Sequence, residues 1–116
     1  MFTEHLLNVT ERDRWLDKAL GNLERGSPQP AHLVWEQLDR STYSDLADVF
    51  RMEWCLAVQC SLHGDFREGV RALLIDKDGK PGFRHRDVAS VPKDYIEGFF
   101  RCPAPKHPLA DLGKTR

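Results

Sequence analysis

The chain has 116 residues, 41% apolar and 30% charged, which is enough for one modest hydrophobic core and too apolar for a disordered chain. Its formal net charge is -1, from 17 Lys and Arg against 18 Asp and Glu, so nothing steers the whole molecule toward nucleic acid or an anionic membrane. No run approaches the roughly eighteen apolar residues of a membrane span, and Glu4 and His5 sit where a secretory leader would be apolar.

Residues 1–10 read as a lead into the first helix. Thr10 is placed to cap that helix, with Asp13 as a short version of the capping box. Trp15, Ala19 and Leu23, with Leu16 and Leu20 beside them, make one apolar stripe. Gly26 is expected to end the helix in a left-handed conformation. Ser27-Pro28 starts a second helix almost at once, Ser as cap and Pro at the first helical position, with Pro30 still in the first turn. Its inward side is expected to be Leu33, Val34, Gln37 and Leu38, with Trp35 at an edge. Ser41 to Ser44 supply the next break and cap. The longest helix then runs from about Asp45 to Leu62, on a stripe of Leu46, Val49, Phe50, Glu53, Trp54, Ala57 and Cys60. Met52, Leu56 and Leu62 add apolar surface elsewhere, so this helix should touch more than one neighbour. Glu53 within the stripe reads as a polar group at the edge of the core, with Arg51, Arg71 or another part of an assembly as partner.

Gly64 ends the long helix. Asp65 is placed to cap the next, and Glu68 three residues on completes a capping box. Phe66, Val70, Leu73 and Leu74 are expected to face a core, and Glu68 and Arg71 to pair across one turn. Asp76 to Pro81 is a turn signal without the twelve-residue ligand pattern of a calcium loop. Phe83 opens an irregular link, and Val91-Pro92 opens a final helix through Tyr95, Ile96, Phe99 and Phe100, weakened by Gly98. Cys102 to Pro108 should lack regular structure, and residues 101–116, with Arg101, Lys106, Lys114 and Arg116, read as a solvated tail. Strand signals, internal repeats and a dividing linker are all missing. The expected fold is therefore all-α.

Chemistry-bearing motifs are scarce. Gly113-Lys114-Thr115 lacks the earlier glycine and the strand of a phosphate loop. No serine sits in a nucleophile elbow, and no His-Glu-x-x-His run occurs. Three cysteines cannot all pair, and their apolar neighbours suggest small buried side chains in a reducing, cytoplasmic setting. Cys55 and Cys60, five apart, are rotated by roughly 140° on a helix, so with His63 they make a poor tetrahedral set, and no metal is expected. His63, Asp65 and Glu68 have immediate work at helix ends, while His5, His32, His85 and His107 are scattered. Arg71, Lys77, Lys80, Arg84 and Arg86 alternate with Asp76, Asp78 and Asp87. That mixture reads as a solvated face, though phosphate contact also suits these residue types.

Asp65 through Asp78 followed by Pro81 resembles the C-terminal signature of 3-hydroxyisobutyryl-CoA hydrolases, a branch of the enoyl-CoA hydratase/isomerase (crotonase) superfamily. The likeness extends through Phe50-Arg51-Met52-Glu53 and Ser27-Pro28 toward Trp15, and on through Val88 to Phe100, covering roughly residues 11–100. The resemblance implies the compact, multi-helix C-terminal portion of a crotonase-like protein, without the α/β catalytic core. It implies a parent activity on a CoA thioester in valine catabolism, with coenzyme A as part of the substrate and no separate cofactor. Oxyanion-hole amides and an acidic residue would come from the absent core, so no catalytic residue is assigned in this chain. Arg71 and Lys77 are the candidate contacts with CoA or with another domain. Ser27, Pro28, Glu53, Asp65, Phe66, Glu68 and Gly69 are assigned structural roles. The implied partners are an upstream catalytic core or further copies of the chain. The alternative is a noncatalytic interaction or regulatory module derived from the same family. A site assembled across a homo-oligomer is a third reading.

Overall fold

The computed structural model describes residues 13–114. Thr10 and the N-terminal lead lie outside them. In chain order, α1 is Arg14–Arg25, α2 is Pro28–Ser41, α3 is Leu46–Leu62, α4 is Phe66–Val70 and α5 is Lys93–Gly98. A π-helical turn, Arg71–Ile75, continues α4, and a 3-10 turn, Val88–Ser90, precedes α5. No strand occurs among the described residues, in agreement with the all-α expectation. None of their helices is long and apolar enough to cross a membrane.

Local capping explains most of the boundaries. Asp13 is extended and accepts a 2.8 Å hydrogen bond from the Leu16 amide, so it is itself the cap of α1 rather than the second member of a box led by Thr10. Gly26 ends α1 in an extended conformation, not the left-handed one expected, because the chain runs straight into the next cap. Its amide still satisfies the Asn22 carbonyl at 2.9 Å. Ser27 caps α2 through the Gln29 amide, with Pro28 in its first turn. Asp45 caps α3 through the Asp48 amide at 2.8 Å. Ser41, Thr42 and Ser44, expected to help start α3, instead donate back to the Leu38 and Arg40 carbonyls and close α2. Gly64 has φ +84°, the left-handed turn that ends α3.

The core gathers Leu33 from α2, Leu56 from α3, and Val91, Ile96 and Phe99 from around α5, with Met52, Cys60, Tyr95 and Phe100 packed at its margin. The face of α3 that serves this core and the covering tail is therefore Met52, Cys55, Leu56 and Cys60. The expected stripe is largely outside it: Leu46, Phe50, Glu53 and Ala57 are exposed, while Val49 and Trp54 are half-buried. Val34 and Leu38 on α2, and Phe66, Leu73 and Leu74 on α4 and its π turn, were also expected inward and are exposed. Periodicity finds an apolar face but not the neighbour that covers it. Of the α1 stripe only Leu20 is deeply buried, and Trp15 and Ala19 are exposed.

Arg101, Lys106 and Lys114 are exposed, as expected of a solvated segment, but residues 101–114 are not free of the fold. They have no regular helix, as expected, yet they lie along α3. Arg51 donates from Nε to the Leu109 carbonyl at 2.9 Å and from Nη2 to the Leu112 carbonyl at 2.5 Å. Gln59 reaches the Arg101 carbonyl, and the Trp54 and His107 rings pack 4.9 Å apart. Of the cysteines, Cys55 is buried, Cys60 half-buried and Cys102 exposed, so the expectation of three buried thiols fails at Cys102.

Candidate functional site

An open apolar groove of about 600 Å³ runs between α2, α3 and the α4–π segment. Its floor is Leu33 and Leu56, both buried. Pro30, Val34 and Gln37 of α2, Ala57 and Cys60 of α3, and Phe66, Gly69, Val70, Leu73 and Leu74 form the walls, with Phe83 at one side. Phe66, Leu73 and Leu74 are 64%, 67% and 66% exposed, so much of this wall is apolar surface in water. Burial raises the pKa of the Cys60 thiol, which moves it away from use as a thiolate nucleophile.

One end of the groove is polar. Asp65 is buried, and its carboxylate accepts from the Ser27 hydroxyl at 2.5 Å and from the Arg84 amide at 3.0 Å. The Asp65 amide donates to Gln29 Oε1 at 3.3 Å, and the Tyr95 hydroxyl donates to the same oxygen at 3.3 Å. Gln29 is buried, and it fits only because residue 64 lacks a side chain: a Cβ there would lie 2.4 Å from Gln29 Oε1. Burial pushes the Tyr95 phenol up, and the Arg84 guanidinium stacks over its ring at 4.9 Å. This end ties the starts of α2 and α4 to the link before α5. Asp65 is thus not the side-chain cap of α4, because its oxygens are drawn to Ser27 and Arg84 across the fold.

At the other end of α4, Arg71 is the hub of a carboxylate clamp. Its Nε and Nη2 grip Glu68, at 2.9 and 2.6 Å, and its Nη1 reaches Asp76 and Asp78, each at 2.8 Å. Glu68 Oε1 also accepts from the Gly82 amide at 2.9 Å. These donors, Arg71 first, hold the Glu68 carboxyl down at about 2. The same guanidinium and the Lys80 amide lower Asp78, and the surrounding carboxylates raise Arg71. Glu68 therefore serves the Asp76–Pro81 turn, not the capping box expected with Asp65. Within that turn Lys77 is exposed at φ 54° and Gly79 has φ 64°.

The other residues assigned from the sequence are dispersed. Pro28 is buried at the start of α2. Glu53 is exposed and accepts a 3.3 Å hydrogen bond from Gln37, rather than pairing with Arg51 or Arg71. Gly69 lines the groove, and a Cβ there would only touch the Phe83 ring at 4.0 Å. Cys60 and His63 do not join Cys55; Cys102 and His107 do, from the tail. The sequence reading missed Gln29, whose linear setting gives no sign of its role, and His85, whose Nδ1 is buried without a hydrogen-bond partner while its ring meets Tyr95 edge-on at 4.9 Å.

The sequence model of the enoyl-CoA hydratase/isomerase family matches residues 2–100. The chain is 37% identical over 83 residues to the mitochondrial 3-hydroxyisobutyryl-CoA hydrolase of Xenopus laevis, covering 72% of this chain and 22% of that protein. The Homo sapiens protein of the same name is 33% identical over 79 residues, covering 68% and 20%. Among solved structures, the crystal structure of an enoyl-CoA hydratase from Rhodobacter sphaeroides 2.4.1 superposes with a TM-score of 0.74 at 26% identity, covering 84% of this chain and 29% of that one. The chain spans about a fifth of the length of these curated relatives.

Proposed function

Given that this chain belongs to the enoyl-CoA hydratase/isomerase family, we propose that it is the helical C-terminal portion of a 3-hydroxyisobutyryl-CoA hydrolase-like acyl-CoA thioesterase. Its role is to complete the fold and cover the substrate cleft of a catalytic core, and alone it does not turn over substrate. The observation that carries this reading is the open groove. Phe66, Leu73 and Leu74 are about two-thirds exposed beside a floor that is already packed. Surface of that kind is stabilised when another apolar surface covers it. The core supplies the oxyanion donors and the acidic group, and this chain supplies shape and exclusion of water.

In this reading residues 11–100 form the family unit, preceded by the lead at 1–10 and followed by the segment 101–116. Lys77 and Arg71 are the proposed contacts with the CoA portion of the substrate or with the core. Lys77 would act directly, from its exposed turn, and Arg71 chiefly by holding that turn through Glu68, Asp76 and Asp78. The setting is a reducing one, which we take to be the cytoplasm. Without its core the chain covers the groove with further copies of itself.

The test follows release of free CoA from 3-hydroxyisobutyryl-CoA. The purified chain is expected to give none. Adding the upstream core of a related hydrolase, truncated before its own helical end, is expected to give turnover that depends on this chain. Sustained turnover by the chain alone would overturn the coreless reading. A folded core that gains neither activity nor binding on addition of the chain would overturn the completing role.

A further inference from the structure

The geometry points to a binding site for a soft divalent transition metal of the Zn²⁺ class, formed by Cys55, Cys102 and His107 between α3 and the C-terminal segment. One donor atom from each lies within 4.8 Å of the other two. Zinc–sulfur bonds of about 2.3 Å and zinc–nitrogen bonds of about 2.0–2.1 Å place tetrahedral neighbours roughly 3.5–3.8 Å apart, so no side of the triangle needs to close by more than about 1.3 Å. Cys102 is the exposed member; its thiol donates to the Ala104 carbonyl at 3.3 Å and is already hydrogen-bonded with the buried Cys55 thiol, so the two sulfurs are neighbours before any ion arrives.

The imidazole is already oriented. The Leu109 amide donates to His107 Nδ1 at 3.0 Å, so Nδ1 bears the lone pair and Nε2 the proton. Nε2–H then donates to the Arg51 carbonyl at 2.8 Å, and the Trp54 ring packs at 4.9 Å and fixes the plane. A backbone carbonyl on the far ring nitrogen is the support that ligating histidines ordinarily have. Both ring nitrogens are thus engaged, and a metal that takes the Nδ1 lone pair does so in exchange for the Leu109 amide hydrogen bond. Two thiolates and an imidazole select a soft or borderline ion over magnesium or calcium. Three protein donors leave a fourth position for water on the exposed side of Cys102. Binding releases two thiol protons and leaves the metal's charge balanced by two thiolates.

The sequence reading set Cys55 beside Cys60 and His63 and expected no metal. The fold supplies different partners, because the segment after residue 100 doubles back along α3. That segment lies beyond the family match at residues 2–100, so two of the three donors belong to a part of this chain that the match does not include. The site joins that segment to α3.

The experiment titrates the reduced 116-residue chain with Co²⁺ and then with Zn²⁺ against a chromophoric chelator, with far-ultraviolet circular dichroism as a check on folding. A near-ultraviolet thiolate-to-cobalt charge-transfer band of two-thiolate strength, bleached by Zn²⁺, is expected. Cys102→Ser and His107→Gln are each expected to weaken Zn²⁺ binding about tenfold or more, whereas Cys60→Ser, outside the triangle, is expected to leave it unchanged. Absence of the charge-transfer band in the parent chain overturns the site. So does equal Zn²⁺ affinity in Cys102→Ser. A reduced chain that ignores both metals but loses two hydrogens to glutathione disulfide would identify Cys55 and Cys102 as a dithiol pair instead.

Discussion

Replacing Phe66, Leu73 and Leu74 together by Gln separates what holds this chain together from what it is shaped to meet. Gln matches Leu in helix propensity, so the local cost is small. The three side chains are 64%, 67% and 66% exposed. Burying a whole Leu or Phe side chain contributes about 1.5–3 kcal/mol, so covering the exposed two-thirds contributes about 1–2 kcal/mol each and about 3–6 kcal/mol for the set. Association through the groove should therefore weaken by about a hundredfold or more. The chain's own stability should barely change. Ile96→Ala is the contrast: Ile96 is 4% exposed within the core, and its truncation should cost about 2–5 kcal/mol and lower the melting temperature by about 10 °C or more. Light scattering across a concentration series and hydrophobic-dye binding report the association, and thermal circular dichroism reports the fold. The parent is expected to be a dimer or higher oligomer that binds dye, and the triple variant to dissociate and bind less. If the triple variant melts as low as Ile96→Ala, or associates as the parent does, the groove is not an open contact face.

Three further outcomes follow from the two ends of α4. Gly64→Ala should destabilise the chain by at least about 1–2 kcal/mol from the left-handed backbone alone, with more from the 2.4 Å approach to Gln29; an unchanged melting temperature would contradict that turn. Asp65→Ala removes the acceptor for the Ser27 hydroxyl and the Arg84 amide and should cost about 2–5 kcal/mol in chemical denaturation, far more than the loss of an exposed cap. Glu68 is held at about 2, below its ordinary 4.5, so its clamp contributes stability above pH 4.5 that is lost as the pH falls from 4.5 to 2. Glu68→Gln should flatten the melting-temperature profile across that window, and an unaltered slope would place the acid-sensitive group elsewhere.

What could be read from the sequence was what is decided within one turn of chain. Ser27-Pro28 starts α2, Gly64 stops α3, Pro92 opens α5, and Glu68 meets Arg71 three residues on, all as the linear signals require. The misreadings share one cause. Asp65 sits where a cap belongs, and nothing local reveals that Ser27 and Arg84, distant in sequence, compete for its carboxylate. The basic, proline-broken segment after residue 100 resembles solvated chain, but the carbonyls of Leu109 and Leu112 find a guanidinium at Arg51. On α3 both sides are apolar, so periodicity could not decide that Cys55 and Leu56 turn inward while Leu46 and Phe50 remain outside.

The α4–π segment shows why that ambiguity bears on function. An amphipathic helix folding only for itself buries its large side chains and exposes its small ones. Here the order is reversed: Ala72 is fully buried while Leu73, Leu74 and Ile75 on its C-terminal side stand in water. The five-residue hydrogen bond from the Asp76 amide to the Arg71 carbonyl widens this turn, and the Arg71 clamp fixes its exit. A small residue against the chain's own helices lets the segment pack closely on that side. The three large apolar residues that follow fan around the rest of the turn, where they stand in water and would gain from a neighbour that covers them. The result is an apolar surface that a covering partner of any kind would stabilise.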